Sequence, residues 1–389
     1  MKETIVPTEV SDRIEILDVL RGFAVFGILL SNILIISGYY FTPISSFKTY
    51  HLSGLNFYIS QFSAIFIVGK AYPIFCMLFG ASFILQSKKD ENNFALSKFS
   101  SVRLLILLII GLIHLIVWPG DVVHQYALLG FILLPCVKLQ PKYLLSIGIT
   151  CVILFMGIEL QHKHANREEL ANQPKKETIL GFKGVEADVL IHQVQYEGFS
   201  GMWFFNNQQY NLLYALSRLK GLIFQALGLF FLGAYFMKSS MFAEKLYKWE
   251  YVLIFAVLTL VGKYLMVYQN STFRMLDSVF MSLFFISLMG IIYKKEFGKK
   301  LLGFLKPVGR MPLTNYISQS IIAVCIFYGF GLGLFTKLPL YQIYLIAAGI
   351  LVFQTIFSKL WLNKYKYGPI EWLWRSLSYN HNFSLTNRK

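Results

Sequence analysis

Residues 309–334 read GRMPLTNYISQSIIAVCIFYGFGLGL, from Gly309 to Leu334. The stretch is apolar enough to cross a bilayer as one helix, which takes roughly 20 residues. Its first half nonetheless carries Arg310, Thr314, Asn315, Gln319 and Ser320. Asn315, Gln319 and Ser320 are four or five apart, so they share one helical face. Polar groups are costly in lipid, so this face turns inward, to other helices or to a polar cavity. Arg310, Asn315 and Gln319 are therefore candidate substrate-binding residues. The second half ends in Tyr328-Gly329-Phe330-Gly331-Leu332-Gly333, where three glycines allow close backbone packing.

The rest of the chain supplies helices to surround such a face. Hydrophobic residues make up 56% of the 389 and charged residues only 14%, which excludes an ordinary soluble globular protein and fits a multi-span membrane protein. Apolar runs lie at about 16–37, 70–87, 103–119, 122–137, 143–159, 219–237, 250–268, 275–293, 311–335 and 340–360. At ~1.5 Å per residue each can cross a ~30 Å core with little tilt. The expected fold is an all-α polytopic transmembrane bundle of about ten spans. It divides into a tail at 1–15, a five-span bundle at 16–159 with an outer loop at 38–69, an extracytoplasmic loop at 160–210, a second five-span bundle at 211–363 and a tail at 364–389. With the N-terminal tail inside, the inner segments collect most of the 36 basic residues, so both termini are expected in the cytoplasm. This also accounts for the net charge of +16, and the partner is a lipid bilayer rather than nucleic acid.

No cleavable signal is expected, because the first residues are polar and lack a short apolar core. Cys76, Cys136, Cys151 and Cys325 lie in or beside apolar runs without metal or disulfide spacing and read as packing residues. The loop at 38–69 ends in an amphipathic stretch suited to the interface. The loop at 160–210 holds charges of both signs and then Trp203, Phe204 and Phe205, and reads either as a partly helical cap or as a solvated linker.

Ionisable residues at membrane depth are the candidate chemistry. The first run opens Leu17-Asp18-Val19-Leu20-Arg21-Gly22, with Asp18 and Arg21 on one helical face. Near the C-terminus, Glu371 and Arg375 are one turn apart. The four are expected to form one structural charge cluster at the inner face. Lys70 stands at the outer start of the second run, where it can serve a site or snorkel to headgroups. His114 lies eleven residues past Arg103, ~16 Å deep. Asp121 follows in the tight outer turn, then His124 and Tyr126. His114 reads as a general base with Asp121 as its orienter, or as a packing histidine beside a turn aspartate. The spacing of His114 and His124 is no metal signature. His114, Asp121, Asn32 and Lys70 are expected to converge on a cavity reached from the outer face, with Tyr126 among its substrate contacts. No Walker loop, dinucleotide fingerprint, nucleophile elbow or zinc-protease helix is present.

Several of these segments resemble one group of bacterial membrane proteins, the YeiB type, a family named for a domain of unknown function. They are Leu17 to Ala24 with Gly27 and Asn32, Lys70 to Gly80, Arg103 to Tyr126, Gly309 to Gly333, and Gly368-Pro369-Ile370-Glu371-Trp372. The opening is also distantly similar to the transmembrane acyltransferases of the acyltransferase-3 and heparan-glucosaminide acetyltransferase types. Acyltransferase-3 proteins carry a helix beginning LD-x-LRG with a functional histidine further along. Counting from Asp18 puts that position at Asn32, which cannot act as a base. The resemblance then leaves the imidazole to His114, or to His51, since the second type uses a histidine of its first outer loop.

Taken together, these readings imply an acyltransferase with no bound cofactor. It would move an acyl group from a cytoplasmic donor such as acyl-CoA to an extracytoplasmic glycan or lipid acceptor. The alternatives are a permease for a small or amphipathic solute, or a structural membrane protein.

Overall fold

The computed structural model describes residues 14–43, 47, 53–87, 93–171, 185–214, 216–266, 273–379 and 385. His51 lies outside them. The described residues are mostly helical, with no β-strand among them. Six segments are long and apolar enough to cross a membrane: Glu15–Phe41, Leu55–Ser87, Lys98–Val117, Pro141–Gln161, Arg274–Tyr293 and Leu340–Lys364. Val123–Cys136, Ile223–Lys238 and Pro312–Phe327 are apolar but shorter.

Helix α1 (Glu15–Ile36) is the buried axis. After it, α2 (Leu55–Phe66) lies against a later helix and turns into α3 (Ala71–Ser87). Helices α4 (Asn93–Val117) and α5 (Val123–Cys136) form a hairpin. Helix α6 (Pro141–Ala171) leads to α7 (Ala187–Tyr196) and α8 (Gly198–Tyr214), which occupy the loop at 160–210. Helix α9 (Leu216–Lys238) packs between α6 and α3, and α10 (Trp249–Tyr264) pairs with α11 (Arg274–Tyr293). Short α12 (Glu296–Leu302) and α13 (Leu305–Arg310) bring the chain back to α1. Then follow α14 (Pro312–Phe327), α15 (Leu340–Lys364) and α16 (Pro369–Tyr379).

The run at 311–335 is not one helix. α14 stops at Phe327, because Tyr328 is extended (φ −86°, ψ 158°) and Gly333 takes a positive φ of 63°. The glycine-rich segment folds back, Phe335 N donating to Phe327 O at 2.8 Å. It docks on α7: Gly329 N donates to Val194 O at 2.9 Å, and Gln195 Nε2 to Phe335 O at 2.6 Å. The glycines thus serve a loop rather than a helix–helix contact.

Two elements carry one-sided patterns. On α2, Asn56 Oδ1 accepts from Tyr341 N at 2.9 Å and Ser63 bonds the Tyr344 hydroxyl, while Leu55, Phe57, Tyr58, Phe62 and Phe66 are exposed. That is the pattern of a helix whose outer face meets lipid. The tail at 364–389 contains α16, docked on α4 and α14. Its Trp374 Nε1 donates to Arg103 O at 2.8 Å.

α1 and α13 touch backbone to backbone. A side chain at Gly22 would run into Leu305 O, and one at Gly309 into Asp18 O. Small residues at such crossings are what bring helices close in a membrane. Gly309→Val is expected to cost about 1–3 kcal/mol, seen as a lower melting temperature of the purified protein. Gly157→Ala, where nothing lies within 4 Å, should leave it unchanged.

Candidate functional site

Two polar constellations and a cavity stand out. The first constellation is built by the α4–α5 hairpin. Its tight turn, Trp118 to Val122, folds Asp121 back over the last turn of α4. Asp121 is fully buried, His114 is 2% exposed and His124 is 6% exposed. Asp121 Oδ1 accepts from His114 Nδ1 at 2.7 Å. Its Oδ2 accepts from His124 Nδ1 at 2.8 Å and from His124 N at 2.9 Å. A carboxylate only accepts, so each histidine carries its proton on Nδ1. His114 Nε2 is left buried and without a hydrogen-bond partner. That is the arrangement of an oriented base. Among the described residues no three His, Cys, Asp or Glu side chains are grouped to hold a metal.

The cavity has a volume of about 350 Å³ and lies between α1, α3, α4, α5, α13, α14 and α16. Arg21, Arg103, Arg310 and Arg375 line it, all half-buried, against the two carboxylates Asp18 and Glu371. Arg21 Nη1 donates to Asp18 Oδ1 at 2.6 Å. Arg103 stacks on Trp374 at 4.4 Å and donates to Gln86 at 3.2 Å. Arg375 lies over Tyr367 at 4.6 Å. Beyond the arginines the walls are Phe75, Phe79, Leu104 and Leu107, closing on Val123, Tyr126 and Tyr316. Roughly 300–1,000 Å³ is usual for a small-molecule site, and this one is basic at one end and apolar at the other.

Tyr316 joins cavity and dyad. It lines the cavity, and its ring meets the His114 ring edge-on at 5.2 Å. Its hydroxyl accepts from Val122 N at 3.1 Å, tying α14 to the hairpin turn.

The second constellation is elsewhere. Lys70, 4% exposed, donates to Asp277 on α11, and Lys263 Nζ approaches the other Asp277 oxygen at 3.1 Å. Lys70, expected beside His114, thus has its counter-ion on α11. A buried lysine takes a counter-ion, and the chain offers Asp277 for it.

The other expected residues distribute as follows. His114 and Asp121 meet, but neither lines the cavity, and nor does Asn32, which is half-buried on α1. Tyr126 does line it, its hydroxyl 2.9 Å from Cys76 Sγ. So does Arg310. Asn315 does not: its Nδ2 donates to Val308 O, Met311 O and Ser358 Oγ at 3.0–3.2 Å, and Gln354 Nε2 donates to its carbonyl at 2.7 Å. It joins α14 to α15. Gln319 is buried with neither amide atom partnered and is also off the cavity. The polar face of α14 thus turns to a neighbouring helix, because α15 brings its own Gln354 and Ser358 to meet it.

Asp18, Arg21, Glu371 and Arg375 all line the one cavity, with Arg103 and Arg310 among them. Glu371 has a further task. Its Oε1 accepts from Leu313 N at 2.7 Å and Thr314 N at 3.0 Å, and its Oε2 from Thr314 Oγ1 at 2.5 Å. It caps the first turn of α14, filling two orphan donors. Burial pushes its carboxyl above the usual range, against the opposing hydrogen bonds from Thr314 and Leu313. A folded-state pKa above the unfolded one gives stability that is present at low pH and lost as pH rises through the raised value. Glu371→Ala is expected to cost about 2 kcal/mol by stripping buried N–H groups of their acceptor. Glu371→Gln keeps that acceptor, fixes the neutral state, and should lose less and flatten the pH dependence. Thermal melting from acidic to neutral pH checks both.

Sequence reading missed Tyr316 and Asp277. Asp277 had a signal, a lone carboxylate one turn into an apolar run. Tyr316 had none, since one tyrosine in an aromatic-rich helix is unmarked.

The family model described as a protein of unknown function (DUF418) matches residues 236–381, which hold α10 to α16. The chain is 30% identical to the uncharacterised protein YxaH of Bacillus subtilis (strain 168) over 96% of both chains. It is 28% identical to an uncharacterised 39.9 kDa protein from the amylase 3′ region of Bacillus acidopullulyticus, over 98% of this chain and 99% of the other. It is 26% identical to the uncharacterised protein YeiB of Escherichia coli (strain K12), over 93% of this chain and 95% of the other. No solved structure matches it. Near-complete alignment with YxaH and YeiB, on a helical fold with membrane-length segments, places this chain in the DUF418 family.

Proposed function

We propose that the protein is a bacterial plasma-membrane acyltransferase with about ten spans and both termini in the cytoplasm. The observation that carries the reading is the shared wall: a cavity with four arginines and an apolar depth ends on Tyr316, and the oriented His114 stands directly behind it. An acyl donor has the matching shape, with acidic groups for the arginines and a chain for Phe75, Phe79, Leu104 and Leu107. When Tyr316 turns aside, His114 Nε2 takes the proton of an acceptor hydroxyl. The hydroxyl oxygen attacks the thioester carbon, the carbon–sulfur bond breaks, and the proton passes from His114 to the leaving thiolate. The products are an ester and a free thiol, and Asp121 holds the imidazolium in between.

The test is thiol release from acyl-CoA by the purified full chain in nanodiscs. Release that depends on His114 supports the reading. None, with or without hydroxylated acceptors, counts against it. For the topology, cysteines placed at 186 and 207 should label from outside the cell, while one at 297 should label only after permeabilisation.

A second reading, a permease, draws on the buried Lys70–Asp277–Lys263 group, since charges at such depth often mark an ion or solute path. Solute uptake that follows an ion gradient and consumes no donor would favour it.

A further inference from the structure

A separate cavity lies at the opposite end of α4 from Arg103. Its volume is about 160 Å³, and it is lined by Leu112, Leu115, Ile116 and Pro119 of the hairpin and by Trp203, Asn206 and Asn207 of α8. Asn206 is 6% exposed. Its Nδ2 donates to Ile116 O at 3.1 Å and Val117 O at 3.2 Å, the open carbonyls at the end of α4. Those two acceptors fix the amide orientation, since a flipped oxygen would face two carbonyls. Asn206 Oδ1 is left buried with no hydrogen-bond partner. An orphaned buried acceptor needs an explanation, and a bound donor is one. Beside it Trp203 is 62% exposed, a broad apolar ring at the rim, and Leu112 and Ile116 expose apolar surface from the same wall.

We infer that this cavity binds the acceptor, a polyol or sugar headgroup carried on an apolar chain. A headgroup hydroxyl donates to Asn206 Oδ1, the ring or polyol backbone lies on Trp203, and the chain runs down Leu112 and Ile116. The inference rests on the acyl-transfer reading for the word acceptor, but not for the binding. The site adjoins the turn that carries the dyad: Leu115 follows His114 directly, and Pro119 precedes Asp121 by two residues. A donor from one end and a hydroxyl from the other would meet at the dyad.

The test is photolabelling of the full chain in nanodiscs with an alkyl glucoside whose chain carries a diazirine. A phosphocholine of the same chain serves as the comparison. The glucoside should label the peptide around residues 203–207 at least about five-fold more than the phosphocholine, the factor of one lost hydrogen bond. Trp203→Ala should reduce the labelling by a similar factor, and Trp203→Phe should keep most of it. Asn206→Leu should bring it to the phosphocholine level. Trp203 is exposed, so its variants decide the matter even if Asn206→Leu fails to fold. Equal labelling by the two headgroups would overturn the inference, as would no effect of Trp203→Ala. Displacement by free glucose at the probe's own concentration would overturn the lipid-carried part. Labelling without acyl transfer would leave the site standing and sink the enzyme reading. Transfer without labelling would do the reverse.

Discussion

His114→Ala is expected to lower acyl transfer by on the order of 10²–10⁴-fold while the protein stays folded. The fold survives because Asp121 keeps both bonds from His124 when His114 is gone. The activity does not, because the imidazole behind Tyr316, oriented by the buried Asp121, is gone. Asp121→Asn should be nearly as damaging by another route. Its amide would offer N–H groups where His114 Nδ1 now donates, favouring the tautomer with the proton on Nε2. That tautomer cannot act as a base. His124→Ala removes a partner of Asp121 but no lone pair facing Tyr316, so it should cost much less. Rates of thiol release from acyl-CoA, with folding checked by thermal melting, separate the three.

Asp277→Ala is expected to be the most destabilising change at membrane depth, at about 3–5 kcal/mol. Lys70 has only 5% of its side chain exposed, and Asp277 is its described counter-ion. Removing the carboxylate leaves a buried ammonium unpaired. Lys263→Ala should do far less, because Lys263 is 21% exposed and water can replace it. The paired change Lys70→Met with Asp277→Leu should recover much of the loss, since an apolar pair of similar volume is often no worse than a buried ion pair. Yield and melting temperature of the purified variants measure this. If Asp277→Ala is as stable as the wild type, the pair is not a buried structural contact.

How far the sequence could be read depended on range. Apolar runs located the long helices, because burial in lipid or protein demands continuous hydrophobicity whatever the tertiary arrangement. The His114–Asp121 contact was legible because seven residues and a Pro-Gly turn bring the two together locally. The counter-ion of Lys70 was not legible, for the opposite reason. Its partner is 207 residues away, and nothing local says whether a lysine will find a carboxylate or a headgroup. Asn315 shows the same limit: a polar helical face says "inward", and only the neighbouring helix decides between a cavity and a hydrogen-bonded seam. The end of α14 at Phe327 was hidden because Tyr328-Gly329-Phe330-Gly331-Leu332-Gly333 is as apolar as a span, while its backbone turns away from one. Helix α16 looked like a tail because its apolar residues form one stripe on a short, charged segment.

Binding of an acyl-CoA thioether, in which the thioester cannot be cleaved, to the full chain in nanodiscs tests the arginine cavity as the donor site without requiring catalysis. The account predicts saturable binding that weakens about ten-fold in Arg310→Ala and in Arg375→Ala, as for loss of a charge-assisted hydrogen bond. It should weaken further with added salt and be lost in Leu107→Trp, which fills the apolar depth. Absence of saturable binding, or binding indifferent to both arginine variants and to Leu107→Trp, would contradict it.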